Sequence, residues 1–135
     1  MAGERNLQKL LSAMSPNLLP ETYVFCTVEG VYGDYSDLSP LASFTEAEGL
    51  TLVITEKKAK KAGLFYETAF KAITLTVHSS LDAVGLTAAV SSQLAEKGIS
   101  ANVIAAYYHD HIFVQSKKAE LAIETLKNYS YINKI

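Results

Sequence analysis

The sequence predicts an α+β fold, with antiparallel strands in one or two sheets and helices packed on a single face, and three observations carry that expectation. Residues 70–114 read in order as strand, helix, strand, strand. A further helical pattern comes after them, and the elements before residue 70 offer a looser α-β-β-β-α order of the same kind. Glycines stand where these elements turn or stop, at Gly49, Gly63, Gly85 and Gly98.

Each element can be justified from its residues. Leu7, Leu10, Leu11 and Met14 recur at i, i+3, i+4 and i+7, which predicts an amphipathic helix over residues 4–14. Pro16 and Pro20 are expected to end it and to space it from the next element. In residues 22–28, Val24, Cys26 and Val28 alternate with Tyr23, Phe25 and Thr27; both sets are mostly apolar, as in a strand covered on both faces. Gly30, Gly33, Asp34, Ser36, Asp37, Ser39 and Pro40 make residues 29–40 a loop, in which Val31, Tyr32 and Tyr35 offer a short extended piece. Residues 41–46 and 50–55 read as a hairpin turning at Ala47-Glu48-Gly49, and residues 56–62 as a short helix ended by Gly63.

From residue 70 the pattern sharpens. Ile73, Leu75 and Val77 alternate with Thr74, Thr76 and His78, the period of a half-buried strand. Leu86, Val90 and Leu94 share one helix face, and Gly98 after Lys97 supplies the left-handed stop. Residues 99–108 and 112–114 read as two strands joined at His109-Asp110-His111. A last helix over residues 117–128 carries Ala119, Ala122, Ile123 and Leu126 on one stripe. Its lysine-rich start is unfavourable for the helix dipole, so packing must hold it. Residues 131–135 are expected to add a final short strand.

Composition bounds the function. With 135 residues, 49% hydrophobic and 19% charged, the chain has enough apolar matter for a core and is expected to be a soluble globular protein. Its apolar runs fall short of the ~18 residues that span a bilayer, so no membrane partner is expected. The net charge of −2 supplies no field for nucleic acid. Arg5 and Lys9 lead into no continuous apolar core of a secretory signal, and the single Cys26 forms no internal disulfide; both point to the cytoplasm, with Cys26 a packed thiol. Lys57, Lys58, Lys60 and Lys61 read as a solvated helix face. His78, Ser79 and Ser80 hold the atoms of a hydrolase but are adjacent along the chain, where side chains diverge, and no Gly-x-Ser-x-Gly elbow occurs. Tyr107, Tyr108 and Phe113 read as core aromatics rather than base-stacking platforms, because the basic, glycine-rich strand motif of RNA readers is missing. No phosphate-binding motif is present, so no nucleotide cofactor is expected. His109, His111 and His78 give at most a partial ligand set, and no stoichiometric metal is expected.

Three segments carry a resemblance. Asp82-Ala83-Val84-Gly85-Leu86, Gly98-Ile99-Ser100-Ala101-Asn102-Val103 and Asp110-His111-Ile112-Phe113-Val114 make residues 77–114 resemble an ACT domain of the kind that regulates aspartate kinases. The wider chain, including Glu48-Gly49-Leu50-Thr51-Leu52-Val53, resembles small bacterial proteins built as two ACT-like units. The resemblance implies a ferredoxin-like βαββαβ sandwich in two units, residues 1–66 as a degenerate one with an N-terminal helix and residues 67–135 as the second. It also implies a non-catalytic protein that binds a small ligand, usually an amino acid, and forms a homodimer through a shared sheet. Carried over by position, the ligand is placed at Asp82, Gly85, Leu86 and Thr87 on the strand-to-helix turn, with Asn102, Val103 and Ile104 opposite. Val84 stands where the family usually has proline, and no second glycine-bearing turn is visible before the first unit's helix, which leaves one site competent.

Physical chemistry supports that site. Amides at a helix start are unpaired and lie in a positive field, so they hold a carboxylate. Gly85 lets a ligand approach the backbone, Asn102 both donates and accepts, and Asp82 can meet an ammonium. The strand face of Phe70, Ala72, Thr74 and Thr76, extended by Tyr107 and Phe113, is too apolar to stay wet, so the chain's other half or a second copy should cover it. The expected function is amino-acid sensing, with output through an unidentified regulated protein. The alternative is a structural or protein-interaction module without a ligand.

Overall fold

The computed structural model describes residues 3–134. Its elements in chain order are α1 (Leu7–Ala13), β1 (Pro16–Val28), a 3₁₀ helix (Tyr32–Leu38), β2 (Ala42–Glu46), β3 (Gly49–Thr55), α2 (Glu56–Ala62), β4 (Phe70–Leu75), α3 (Leu86–Glu96), β5 (Asn102–Ala105), β6 (Asp110–Gln115), a 3₁₀ turn (Ser116–Lys118) and α4 (Ala119–Ile132). They form two compact units. The larger joins the residues up to Pro20 to those from Lys71 on, and the smaller is Glu21–Phe70.

In the larger unit the strand order is β1-β4-β6-β5, to which β1 contributes its opening residues 16–20. β5 and β6 form an antiparallel hairpin in the register Asn102↔Phe113 to Ala105↔Asp110. Ile73, Leu75, Ile112 and Val114 point to one face. There they pack with Leu10, Leu11 and Met14 of the α1 region, with Leu86, Val90 and Leu94 of α3, and with Ala119, Ala122 and Leu126 of α4. The helical stripes read from the sequence are therefore the buried ones, and all three helices share one side of the strands.

In a βαββαβ unit the place beside the first strand belongs to the last strand, and here residues 16–20 take it. The Ser15 carbonyl accepts the Thr76 N–H at 2.9 Å, and Lys71 Nζ donates to the Pro20 carbonyl at 2.8 Å. The final strand expected over residues 131–135 is absent among the described residues: α4 runs through Ile132 and ends in a turn, and Ile135 lies outside the described residues. With the position beside β4 filled, no ladder is left for a C-terminal strand. Pro16 and Pro20 likewise do not space a helix from a strand but belong to β1. They are tolerated because β1 is an edge of this unit's strand order, where a missing N–H leaves no central ladder broken.

The smaller unit has the order β2-β3-β1, antiparallel throughout. Its hairpin turns in two residues, with Glu46 opposite Gly49, and its core is Val24, Cys26, Leu50, Leu52, Ile54 and Ala59. The loop expected over residues 29–40 contains a 3₁₀ helix. Gly30 turns the chain at φ +110°, and the Asp34 carboxylate accepts the Val31 N–H at 3.0 Å, which caps the helix start. Residues rich in turn formers thus make a helix through local side-chain bonds that periodicity does not reveal. Thr55 caps α2 by accepting the Lys58 N–H, and Gly63 closes it at φ +69°. Lys58 Nζ donates to the Leu38 carbonyl at 2.9 Å, so one of the four lysines is tied to the 3₁₀ helix end. Cys26 is buried, and desolvation raises its thiol pKa, as befits an inert packed side chain.

Candidate functional site

Between β4 and α3 the chain is held by short-range bonds. The Ala83 N–H donates to the Ser80 carbonyl at 2.9 Å, and the Asp82 N–H donates to Ser80 Oγ at 3.1 Å. The N-terminal segment ties this loop down: the Glu4 N–H donates to the His78 carbonyl and the Ser80 N–H to the Glu4 carbonyl, both at 2.9 Å. Gly85 then enters α3 at φ +101°, a conformation that only glycine adopts without strain. Among the described residues no side chain caps this helix, which leaves its first amides for water or a ligand.

A pocket of about 130 Å³ opens at this helix start, lined by Ser79, Ser80, Leu81, Ala83, Gly85, Leu86, Thr87, Ala105 and Asp110. The last two come from the β5–β6 hairpin, where Ala105 and Asp110 face each other across the ladder. Asp110 is only 8% exposed. Among the described residues no hydrogen bond reaches its carboxylate. Burial pushes the carboxyl above the usual range, while His111 and His109 pull it the other way.

Of the residues expected at the site, Gly85, Leu86 and Thr87 line this pocket. Asp82 lies on the exposed turn outside it. Asn102, Val103 and Ile104 occupy β5 but do not line it, and the Asn102 amide donates to the Phe113 carbonyl at 3.3 Å, its partner across the ladder. The hairpin presents its far end to the pocket instead. Asp110 is legible in one respect: two and four residues before Ile112 and Val114, it falls on their core-facing side of the strand. A carboxylate in register with core residues is the signal that periodicity offers. The strands meet at residues 106–109 rather than at His109-Asp110-His111, so Asp110 and His111 belong to β6.

The aromatics separate by this shift. Phe113 is buried, but Tyr107 and Tyr108 stand exposed in the hairpin turn, against the expectation of core residues. Their rings meet edge-on and lie tilted against His78, with centroids 5.1 to 6.1 Å apart. Ala72 and Thr74 are buried within the single chain. His111 Nδ1 shares a hydrogen bond with Thr74 Oγ1 at 2.9 Å, and His109 Nδ1 with the Val77 carbonyl at 3.3 Å. Among the described residues no three metal-ligating side chains gather. The first unit does have a glycine-bearing turn, at Gly30, where the sequence shows none clearly, but Asp34 already occupies the amide it presents.

Strand order and one-sided helices define a ferredoxin-like α+β protein built as two units. ACT-domain models match residues 2–71 and 68–128, and the chain belongs to the ACT-domain family as a tandem of two such domains. Among solved structures, a protein of unknown function from Vibrio cholerae, described as a possible transport protein, is 57% identical with a TM-score of 0.85, over 92% of this chain and 95% of that one. The ligand-free regulatory subunit of aspartate kinase from Thermus thermophilus is 8% identical, with a TM-score of 0.58 over 84% of this chain and 95% of that one. Aspartokinase III from E. coli, in complex with aspartate and ADP, is 10% identical with a TM-score of 0.62; the match covers 88% of this chain and 33% of that one. Identities that low speak for the fold alone. No curated protein matches the chain. ACT domains are regulatory rather than catalytic modules, and no helix among the described residues is long and apolar enough to cross a membrane.

Proposed function

We propose that this protein is a non-catalytic cytoplasmic sensor of a small molecule, an amino acid in kind, and that its output passes through a dimer and a separate regulated polypeptide. The single observation that supports this is the pocket at the start of α3, where uncapped helix amides, a positive-φ glycine and a buried carboxylate meet. Helix amides suit the carboxylate of such a ligand, and Gly85 gives it access to the backbone. Gly85, Leu86 and Thr87 are the residues from the turn that this reading uses.

A thermal-shift screen against the twenty free amino acids tests it, because a ligand that binds only the folded form raises the melting temperature by mass action. At a hundredfold excess over Kd the stabilisation is about 2.7 kcal/mol. A flat screen at millimolar ligand rejects the reading. It would favour a protein-interaction module, for which the exposed Leu81, Val84, Tyr107 and Tyr108 around the pocket speak.

A further inference from the structure

We infer that Asp110 selects the ligand of this pocket, holding a primary ammonium while the first amides of α3 hold the carboxylate, so that the pocket takes a small zwitterion with an uncharged side chain. The inference rests on reading the pocket as a ligand site and adds to it the group that decides which ligand enters.

Asp110 is 8% exposed, accepts no hydrogen bond from a described residue and forms part of the pocket wall. A partly desolvated carboxylate that only water meets favours a cation or a donor entering beside it. His111 and His109 act on Asp110 by charge, but their Nδ1 atoms bond to Thr74 Oγ1 and the Val77 carbonyl, and among the described residues neither ring hydrogen-bonds to the carboxylate. An ammonium entering from the pocket supplies donors and a full positive charge together. The same contact reverses the upward push of burial on the carboxyl.

The rest of the lining sets the remaining chemistry. Asp110 is the one charged residue among the described residues that line the pocket, so the second carboxylate of a dicarboxylic amino acid would meet no cation among them and would be repelled. The pocket is open to solvent, so its wall rather than an enclosed volume sets what lies beside the seated backbone groups. Ser79, Ser80 and Thr87 provide hydroxyls, and Leu81, Ala83 and Ala105 provide apolar wall, a mixture that suits glycine, alanine or serine.

Calorimetric titration of the full chain with glycine, L-alanine, L-serine, L-aspartate and L-lactate tests this, on the wild type and on Asp110→Asn. At least one small amino acid should bind the wild type. L-Lactate, which has a hydroxyl in place of the ammonium, and L-aspartate should bind it about tenfold more weakly or worse. Asp110→Asn should lose a similar factor for the amino acid and none for lactate. Equal affinity of the two proteins for the amino acid overturns the role of Asp110, as does wild-type binding of lactate that matches alanine. Because the lactate comparison is made on the wild type, it decides the question even where the variant fails to fold. Preference for L-aspartate in the titration, or for a charged or aromatic amino acid in the thermal-shift screen, overturns the inference and leaves the proposed function standing, whereas a wild type that binds none of the titrants and gives a flat screen overturns both.

Discussion

Replacing Gly85 by alanine puts a methyl group where the backbone conformation and the packing both resist it. At φ +101° an L-residue pays roughly 1–2 kcal/mol relative to glycine. The new Cβ would also stand 3.1 Å from Leu7 Cδ2, the mobile end of a side chain on α1, which must give by a few tenths of an ångström. Against this, alanine reduces the freedom of the unfolded chain by about 0.4–1 kcal/mol. The net is a loss of about 1 kcal/mol, which for a chain of this size lowers the melting temperature by roughly 3–5 °C. Calorimetry and urea unfolding measure it. Adding Leu7→Ala relieves the contact but not the φ strain, so within a double-mutant cycle only the smaller part of the loss should be recovered. A Gly85→Ala protein as stable as the wild type, or more stable, would refute the reasoning, because helix propensity alone favours alanine.

The other predictions concern groups away from that turn. Ser130, buried on α4, donates from Oγ to the Met14 carbonyl at 2.9 Å, just past the end of α1. Ser130→Ala should therefore cost about 1 kcal/mol in urea unfolding, and an unchanged midpoint would count against the bond. Burial, with His109 adding to it, holds His111 below the ordinary histidine range, while Asp110 pulls it up. A depressed folded pKa contributes stability above the unfolded value of about 6.5, and that stability is lost as pH falls through it toward the folded value. The raised Asp110 acts in the opposite sense, stabilising on the acid side and losing that contribution as pH rises through its folded value. The urea midpoint should thus fall between about pH 7 and pH 5 more steeply in the wild type than in His111→Gln. Parallel curves would remove His111 from the acid response.

Much of the fold is legible in the sequence because local pattern and burial agree. Leu86, Val90 and Leu94, Ile73 and Leu75, and the α1 positions Leu10, Leu11 and Met14 read as core from their spacing, and all are buried together. Gly63 and Gly98 mark helix ends because only glycine meets the left-handed geometry cheaply, at φ +69° and +73°. The lysine-rich entry to α4 reads as a dipole conflict. The structure resolves it at a distance: Lys118 Nζ donates to the Gly98 carbonyl at 2.6 Å, beyond the C-terminal end of α3, where a cation is favourable.

By itself the sequence determined the α+β class, the helical stripes, the hairpins and the glycine turn before α3, since each depends on neighbours within a few residues. Only the tertiary structure decided that residues 16–20 take the place beside β4 and leave the C-terminus to end as a helix, because a competition between distant segments for one ladder has no local signature. Tertiary structure also decided that Asp110, rather than Asp82 or Asn102, forms the charged wall of the pocket. Alternation placed Asp110 on the core face of its strand, but pairing with Ala105 across the hairpin and the approach of the α3 start are what turned that face into a pocket.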